Sequence, residues 1–149
     1  MKISAREEYA CSAVLELALN YDADAPVRVQ DIAQRQGIPM KFLFQIMQIL
    51  KRVDIVRSKR GTEGGYALSR PPSKITVGDV IRSMSGPFVQ LSCLDSGNLS
   101  DDCGKPTPCH FKPIWAEVDR AIGSILNNIT FEELVRRARA NQKQLMYHI

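Results

Sequence analysis

Between residues 38 and 68 the hydrophobic period changes once, and the change predicts a helix followed directly by a hairpin. Phe42, Leu43, Ile46, Met47, Ile49, Leu50 and Val53 recur at steps of three and four. That spacing predicts a helix with one broad buried face, leaving Lys41, Gln45, Gln48 and Arg52 on the other. Past Val53, two short runs, residues 54–58 and 66–69, flank Lys59-Arg60-Gly61-Thr62-Glu63-Gly64-Gly65. Its three glycines suit a hairpin turn that needs positive φ. A helix plus a basic hairpin is the pattern of a winged helix.

The helical period recurs on both sides of this stretch. Ser4 and Glu7 form a capping-box pair, predicting a helix from about residue 4 to about residue 20 with Ala10, Val14, Leu17 and Ala18 as its buried stripe. Residues 30–36 read as a short helix stopped by Gly37, and Pro39 suits the first turn of the next helix. Two helices joined by Gly37-Ile38-Pro39 make a helix-turn-helix, with residues 41–53 as the recognition helix. Thr76 caps a further short helix that Ser85-Gly86-Pro87 ends. Residues 111–128 place Ile114, Val118, Ala121 or Ile122, Ile125 and Ile129 in a narrow stripe. Such a stripe suits either pairing with a copy of itself or burial against the chain's own domain. Thr130 and Glu133 form a second capping-box pair that starts a terminal helix, with Arg136, Arg137 and Arg139 on a solvated face.

Charge adds a placement that periodicity cannot. Residues 41–70 hold seven basic side chains against two acidic ones, whereas residues 1–40 hold four against six and residues 71–149 nine against eight. The positive charge therefore concentrates on the predicted helix and wing, where neutralising phosphates releases counterions. At 149 residues the chain is long enough for one good core, or for one small domain with an appended dimerisation element. No apolar run approaches the roughly 20 residues of a membrane span, and the N-terminus lacks a signal peptide's apolar stretch. A soluble, cytoplasmic protein is expected.

From residue 87 to residue 113 the periodicity disappears, and a loop this long within a compact domain is usually functional or disordered. It holds Cys93, Cys103 and Cys109, separated by nine and five residues. Stable disulfides are rare in a reducing compartment, so the cluster of thiols points first to metal binding or redox chemistry. Thiolates hold iron–sulfur clusters, and three in one loop need a fourth ligand from elsewhere. Cys11, on an otherwise apolar helix, reads as core packing.

The segment IPMKFLFQIMQILKR followed by SKRGTEGGYALSRPPSKITVGDVIRSMSGP resembles the Rrf-type (Rrf-two) family of bacterial winged-helix transcription regulators. Its most specific pieces are Arg60-Gly61-x-x-Gly64-Gly65-Tyr66, Ile75-Thr76-Val77-Gly78-Asp79-Val80-Ile81 and Gly86-Pro87. The resemblance covers nearly the whole chain. It implies a mainly α fold with a small β-hairpin wing, organised as a winged helix-turn-helix domain over residues 1–86, a cysteine-bearing cluster loop over residues 87–110, and a long dimerisation helix with a terminal helix over residues 111–149. The dimer interface it implies is Ile114, Val118, Ile122 and Ile125. The implied partner is a roughly palindromic double-stranded DNA operator, contacted by Lys41, Gln45 and Gln48 in the major groove and by Lys59 and Arg60 on the wing. Phe44 stands where a cluster-binding relative has a glutamate tied to operator choice; it cannot accept a hydrogen bond from cytosine but suits a thymine methyl.

The resemblance also implies a cluster, 2Fe-2S or 4Fe-4S, held by Cys93, Cys103 and Cys109. Glu8 is the implied fourth ligand, because some relatives supply an acidic residue there to the partner subunit's cluster. One departure stands out: cluster-binding members usually place five residues between the first two cysteines, and this chain has nine. His110 is one residue after Cys109, where relatives with a histidine ligand place it three residues on. The resulting expectation is a homodimeric regulator whose operator affinity an iron–sulfur cluster controls. A cluster-free regulator sensing a metabolite or thiol oxidation is the alternative of the same family, and a small iron–sulfur electron-transfer or trafficking protein that of another class. An enzyme is not expected, since His110 and His148 are the only histidines and no nucleophile elbow, phosphate loop or HExxH pair occurs.

Overall fold

The first helix, α1 (Ala5–Leu19), begins where the sequence sets its cap. The Ser4 hydroxyl accepts from the Glu7 N–H at 3.4 Å, and the Glu7 carboxylate accepts from the Ser4 N–H at 2.6 Å. Residues 2–23, 25–91 and 109–147 are described by the computed structural model, with side chains through residue 142. Ala10, Ala13, Val14, Leu17 and Ala18 are fully buried on α1. Three of these are alanines, and their small side chains let neighbouring helices approach closely. Packed around α1 are α2 (Val29–Gln36), α3 (Met40–Arg52), α4 (Val77–Ser85) and the terminal helix α6 (Phe131–Tyr147).

Gly37 ends α2 with φ +63°, a left-handed position that suits glycine. Pro39 sits just before α3 rather than in its first turn, with extended backbone, and its carbonyl accepts from the N–H groups of Phe42 and Leu43 at 3.0 and 3.1 Å. On α3 the buried face is narrower than the spacing predicts. Leu43, Ile46, Met47 and Leu50 are buried, but Ile49 is half-buried and Phe42 and Val53 are exposed. The reason is position: α3 lies at the edge of a small domain, so α1, α2, α4 and the wing cover only part of its circumference.

The wing is the antiparallel pair β1 (Val56–Lys59) and β2 (Gly65–Leu68), with Val56 opposite Leu68 and Lys59 opposite Gly65. A third piece of chain joins it, because Val27 and Tyr66 exchange both N–H···O bonds at 2.8 Å. Close backbone approach, from Val27 at Gly65 and from the turn itself at Gly64, accounts for two of the glycines in a way that positive φ does not. A Cβ on Gly65 would lie 2.3 Å from the Val27 carbonyl oxygen, and one on Gly64 would lie 2.5 Å from that of Lys59.

Thr76 caps α4 in a second reciprocal box with Asp79. The helix α5 (Lys112–Asn127) follows the cysteine segment, with proline in its first turn. The chain then returns to the first core. Val77 donates to Ile129 O and Phe131 to Ile75 O, each at 2.9 Å, and Phe131 is wholly buried beside Val135. Thr130 Oγ1 accepts from the Glu133 N–H at 3.3 Å, while the Glu133 carboxylate runs along the helix to Arg136 and Arg137. Of the apolar residues on α5, Ile114 and Ile125 are 50% and 64% exposed, with Trp115 and Val118 also open. Burial against the chain's own domain does not account for that stripe.

Candidate nucleic-acid interface and cysteine segment

With Leu43, Ile46, Met47 and Leu50 turned inward, the geometry of α3 turns Lys41, Gln45, Gln48 and Arg52 outward, and all four are exposed. The helix begins without a side-chain cap and carries no acidic residue in its first turn. Its positive dipole end and its basic side chains therefore act in the same direction on phosphate. Lys51 Nζ donates to Ser58 Oγ on β1 at 2.7 Å, tying one shoulder of α3 to the wing.

The wing presents Arg57, Lys59 and Arg60, all exposed. Of the seven basic residues between 41 and 70, only Arg70 is withdrawn, half-buried with its guanidinium 3.9 Å from Asp79. The rest form a positive surface. Arg28 Nη2 donates to the Thr62 carbonyl at 3.3 Å and so holds the turn of the wing against the start of α2. Nothing in the sequence marks Arg28 for this role beyond its place beside Val27 in an alternating lead-in to α2.

A buried carboxylate fixes the helix-turn-helix to α1. Glu16 is almost fully enclosed, yet Oε1 accepts from Arg35 Nη1 at 2.8 Å and from Asn20 Nδ2 at 3.1 Å, and Oε2 from Gln36 Nε2 at 2.9 Å. Every partner but Asn20 belongs to the last turn of α2. A buried charge satisfied this way sets the angle of α2, and so of the reading helix that follows.

At the opposite end of α1, Glu7 and Glu8 part company. Glu8 is exposed, open to whatever approaches the first turn. Glu7 is 6% exposed and accepts from Ser85 Oγ at 2.6 Å and Ser4 Oγ at 2.8 Å. Burial alone raises a carboxyl pKa, but the hydrogen bonds from Ser85 and Ser4 outweigh it and hold Glu7 below its ordinary range. The Glu7–Ser85 bond joins the start of α1 to the end of α4, and sequence reasoning gave Glu7 only its capping role.

Cys109 is free and half-buried, three residues before α5. Cys93 and Cys103 lie outside the described residues. Cys11 packs against the core, where burial, and then the charge of Glu7, push its thiol up to about 11. At neutral pH it remains protonated, as a core side chain. His110 is exposed. Between the start of α1, the end of α4 and α5 lies a cleft of about 480 Å³, whose walls include Glu7, Ser85, Phe88, Leu91, Trp115 and Ile122. The chain leaving α4 is strapped to α5 here: Val89 N–H donates to Asp119 Oδ1 at 2.8 Å, Arg82 lies 5.2 Å from the Phe88 ring centre, and Arg82 Nη2 reaches Asn127 Oδ1 at 2.7 Å.

Among the described residues no helix is long and apolar enough to cross a membrane. Residues 3–137 match the Rrf2 family, described as iron-dependent transcriptional regulators. The chain is 35% identical over 135 residues to the HTH-type transcriptional regulator IscR of Escherichia coli, covering 91% of this chain and 80% of that one. Among solved structures, T. potens IscR matches with a TM-score of 0.73 at 30% identity, covering 95% of this chain and 91% of its own. CymR of B. subtilis, named as its global cysteine regulator, matches with a TM-score of 0.73 at 28% identity, over 92% and 98% of the two chains. A reading helix, a basic wing and a long following helix in this order, with a match spanning nearly the whole sequence, place the chain in the Rrf2 family of DNA-binding winged-helix transcriptional regulators.

Proposed function

We propose that the protein is a homodimeric regulator, acting in the cytoplasm, whose affinity for a roughly palindromic operator is controlled by an iron–sulfur cluster held by Cys93, Cys103 and Cys109. The observation that carries the homodimer is the apolar stripe of α5: Ile114, Val118 and Ile125 stay exposed in the single chain, and Ile122 continues the same row. A two-fold partner helix covers such a stripe and places two copies of α3 about one DNA turn apart. Lys41, Gln45 and Gln48 then meet base edges, Phe44 a thymine methyl, and Lys59 and Arg60 the phosphates or minor groove.

For the cluster, the donor chemistry fits. Cys109 offers a free, half-buried thiol, Glu8 an exposed carboxylate, and Cys11 is set apart by its raised pKa. A bound cluster supplies a centre that responds to oxidants and to iron supply. The chain's own residues carry the response outward. Phe88 and Val89 fasten the segment between α4 and the cysteines to α5, and Ser85 fastens the end of α4 to Glu7 on α1. A change in residues 87–110 therefore bears at once on the dimer helix and on the helix that supports α3.

Likeness to CymR and the nine-residue spacing favour a second reading, a cluster-free regulator that senses thiol oxidation or a metabolite. Protein purified without oxygen separates the two by its iron and sulfide content per chain and its visible absorption. The cluster reading expects iron, sulfide and an operator affinity that changes on their removal. Colourless, iron-free protein whose binding responds to thiol oxidation would establish the second.

A further inference from the structure

The cleft between α1, α4 and α5 has the dimensions and lining of a small-molecule site. Its volume of about 480 Å³ falls within the range of roughly 300–1,000 Å³ that such sites occupy. Phe88, Leu91, Trp115 and Val118 give it apolar walls, while Ser4, Glu7 and Ser85 gather polar atoms on one side, since both serines donate to Glu7. Around α5, Trp115 stands roughly 90° from Ile114 and Ile125, so the cleft opens beside the stripe assigned to the two-fold contact rather than beneath it.

Glu7 carries the argument, because its charge has no partner of opposite sign. It is 6% exposed and ionised, yet its donors are the Ser4 N–H and the Ser4 and Ser85 hydroxyls, all neutral. Buried charges are ordinarily paired. Glu16, the other buried acid of α1, has Arg35 at 2.8 Å. Glu7 has no such cation among the described residues, and Lys2, the one basic residue on the walls of the cleft, is exposed. We propose that the cleft is an effector site for a small organic monocation, a primary amine with an aromatic body, whose ammonium sits against Glu7 and whose ring lies against Trp115 and Phe88. None of the lining residues is a cysteine, so the site does not depend on a cluster. Both α1 and α4 pack on α3, so a ligand between them bears on the reading helix; the effect on DNA rests on α3 having that role.

Trp115 is the only tryptophan of the chain, and its fluorescence therefore reports occupancy of the cleft. The full chain is titrated with phenethylamine, phenethyl alcohol and hydrocinnamate, which join similar bodies to positive, neutral and negative heads. The amine should bind about tenfold more tightly than the alcohol, the difference between a charged and a neutral hydrogen bond, and the acid should not bind. At saturation the amine should change operator affinity about fivefold or more, the lower end for coupled sites. In Glu7→Gln, with folding checked by circular dichroism, amine and alcohol should bind alike; the three ligands on the parent chain decide the matter even if that variant fails to fold. Equal binding of all three, or none, would overturn the site. Amine binding seen only in the Ile125→Glu variant would assign the cleft to the subunit contact and overturn it likewise. Binding that leaves operator affinity unchanged would overturn the effector role, whereas a chain that binds no operator would overturn the role of α3 and leave the amine site standing on its own titration.

Discussion

Glu7 and Glu8 share a helix turn but not a chemistry. Glu7 is ionised, buried and fully hydrogen-bonded, and its lowered pKa makes its contribution depend on acidity in a defined direction. Because the native value lies below the unfolded one, that stability is present above the ordinary carboxylate range and is lost as the pH falls through the native value. Glu7→Gln should destabilise the protein by about 1–3 kcal/mol at neutral pH, because the partners keep their places but lose a charged acceptor. Urea titrations across the acid limb should then show a shallower pH dependence for the variant than for the parent. Arg60→Ala tests the proposed contact of the wing with DNA instead. Its loss should weaken binding to all sequences alike and flatten the log–log salt slope by about one unit, measured by titration at several salt concentrations. At this scale the sequence was most legible where a residue's chemistry is local. The caps at Ser4 and Thr76 need only their own next turn, whereas the Glu7–Ser85 bond spans 78 positions and leaves no periodic trace. Phe42 was misplaced for a related reason: spacing identifies an apolar face but not how much of it a neighbour covers.

Among the elements, the wing and α5 make separable predictions. Gly65→Ala puts a methyl into the Val27 carbonyl, and the clash should break the bridge that holds the hairpin to the start of α2. A loss of about 2–4 kcal/mol in chemical denaturation is expected, in line with overpacking and a broken buried hydrogen bond. Ile125→Glu leaves the single chain nearly untouched, since Ile125 is exposed there, but at a two-fold contact it buries an unpaired charge at a cost of several kcal/mol. Sedimentation at micromolar concentration should find the variant monomeric; a stable dimer would move the interface off α5. The helices themselves were readable from period and caps, because each sets its own pattern. The bridge from Val27 to the wing was not, since two hydrogen bonds are too short a run to show alternation.

Over the whole molecule, the cysteine segment is bounded by fixed points: Phe88 and Val89 fastened to α5 on one side, and Cys109 at the foot of the same helix on the other. Replacing Cys93, Cys103 or Cys109 by alanine should remove iron and visible absorption and change operator affinity roughly 5- to 150-fold, the usual range for coupled sites. Cys11→Ala should keep the cluster, and Glu8→Ala should loosen it. Iron analysis with operator titration on the same preparations decides each case. Spacing and resemblance suggest a donor set in the sequence, and of the proposed ligands only Cys109 and Glu8 fall among the described residues. What it could not express is which core each helix joins, because an amphipathic stripe says that a face is buried and not against what.

The return of the chain at Phe131 bears on how the protein is made. The helix at the centre of the core is synthesised well before one of the helices packed on it, α6, which is anchored by a phenylalanine with no exposed surface. A nascent chain halted before residue 131 lacks that anchor and leaves the flank of α1 uncovered. The core around α1 therefore completes its packing only once α6 leaves the ribosome. Premature termination should yield a fragment removed by proteolysis, rather than a stable monomeric DNA binder competing with the intact regulator for its operator.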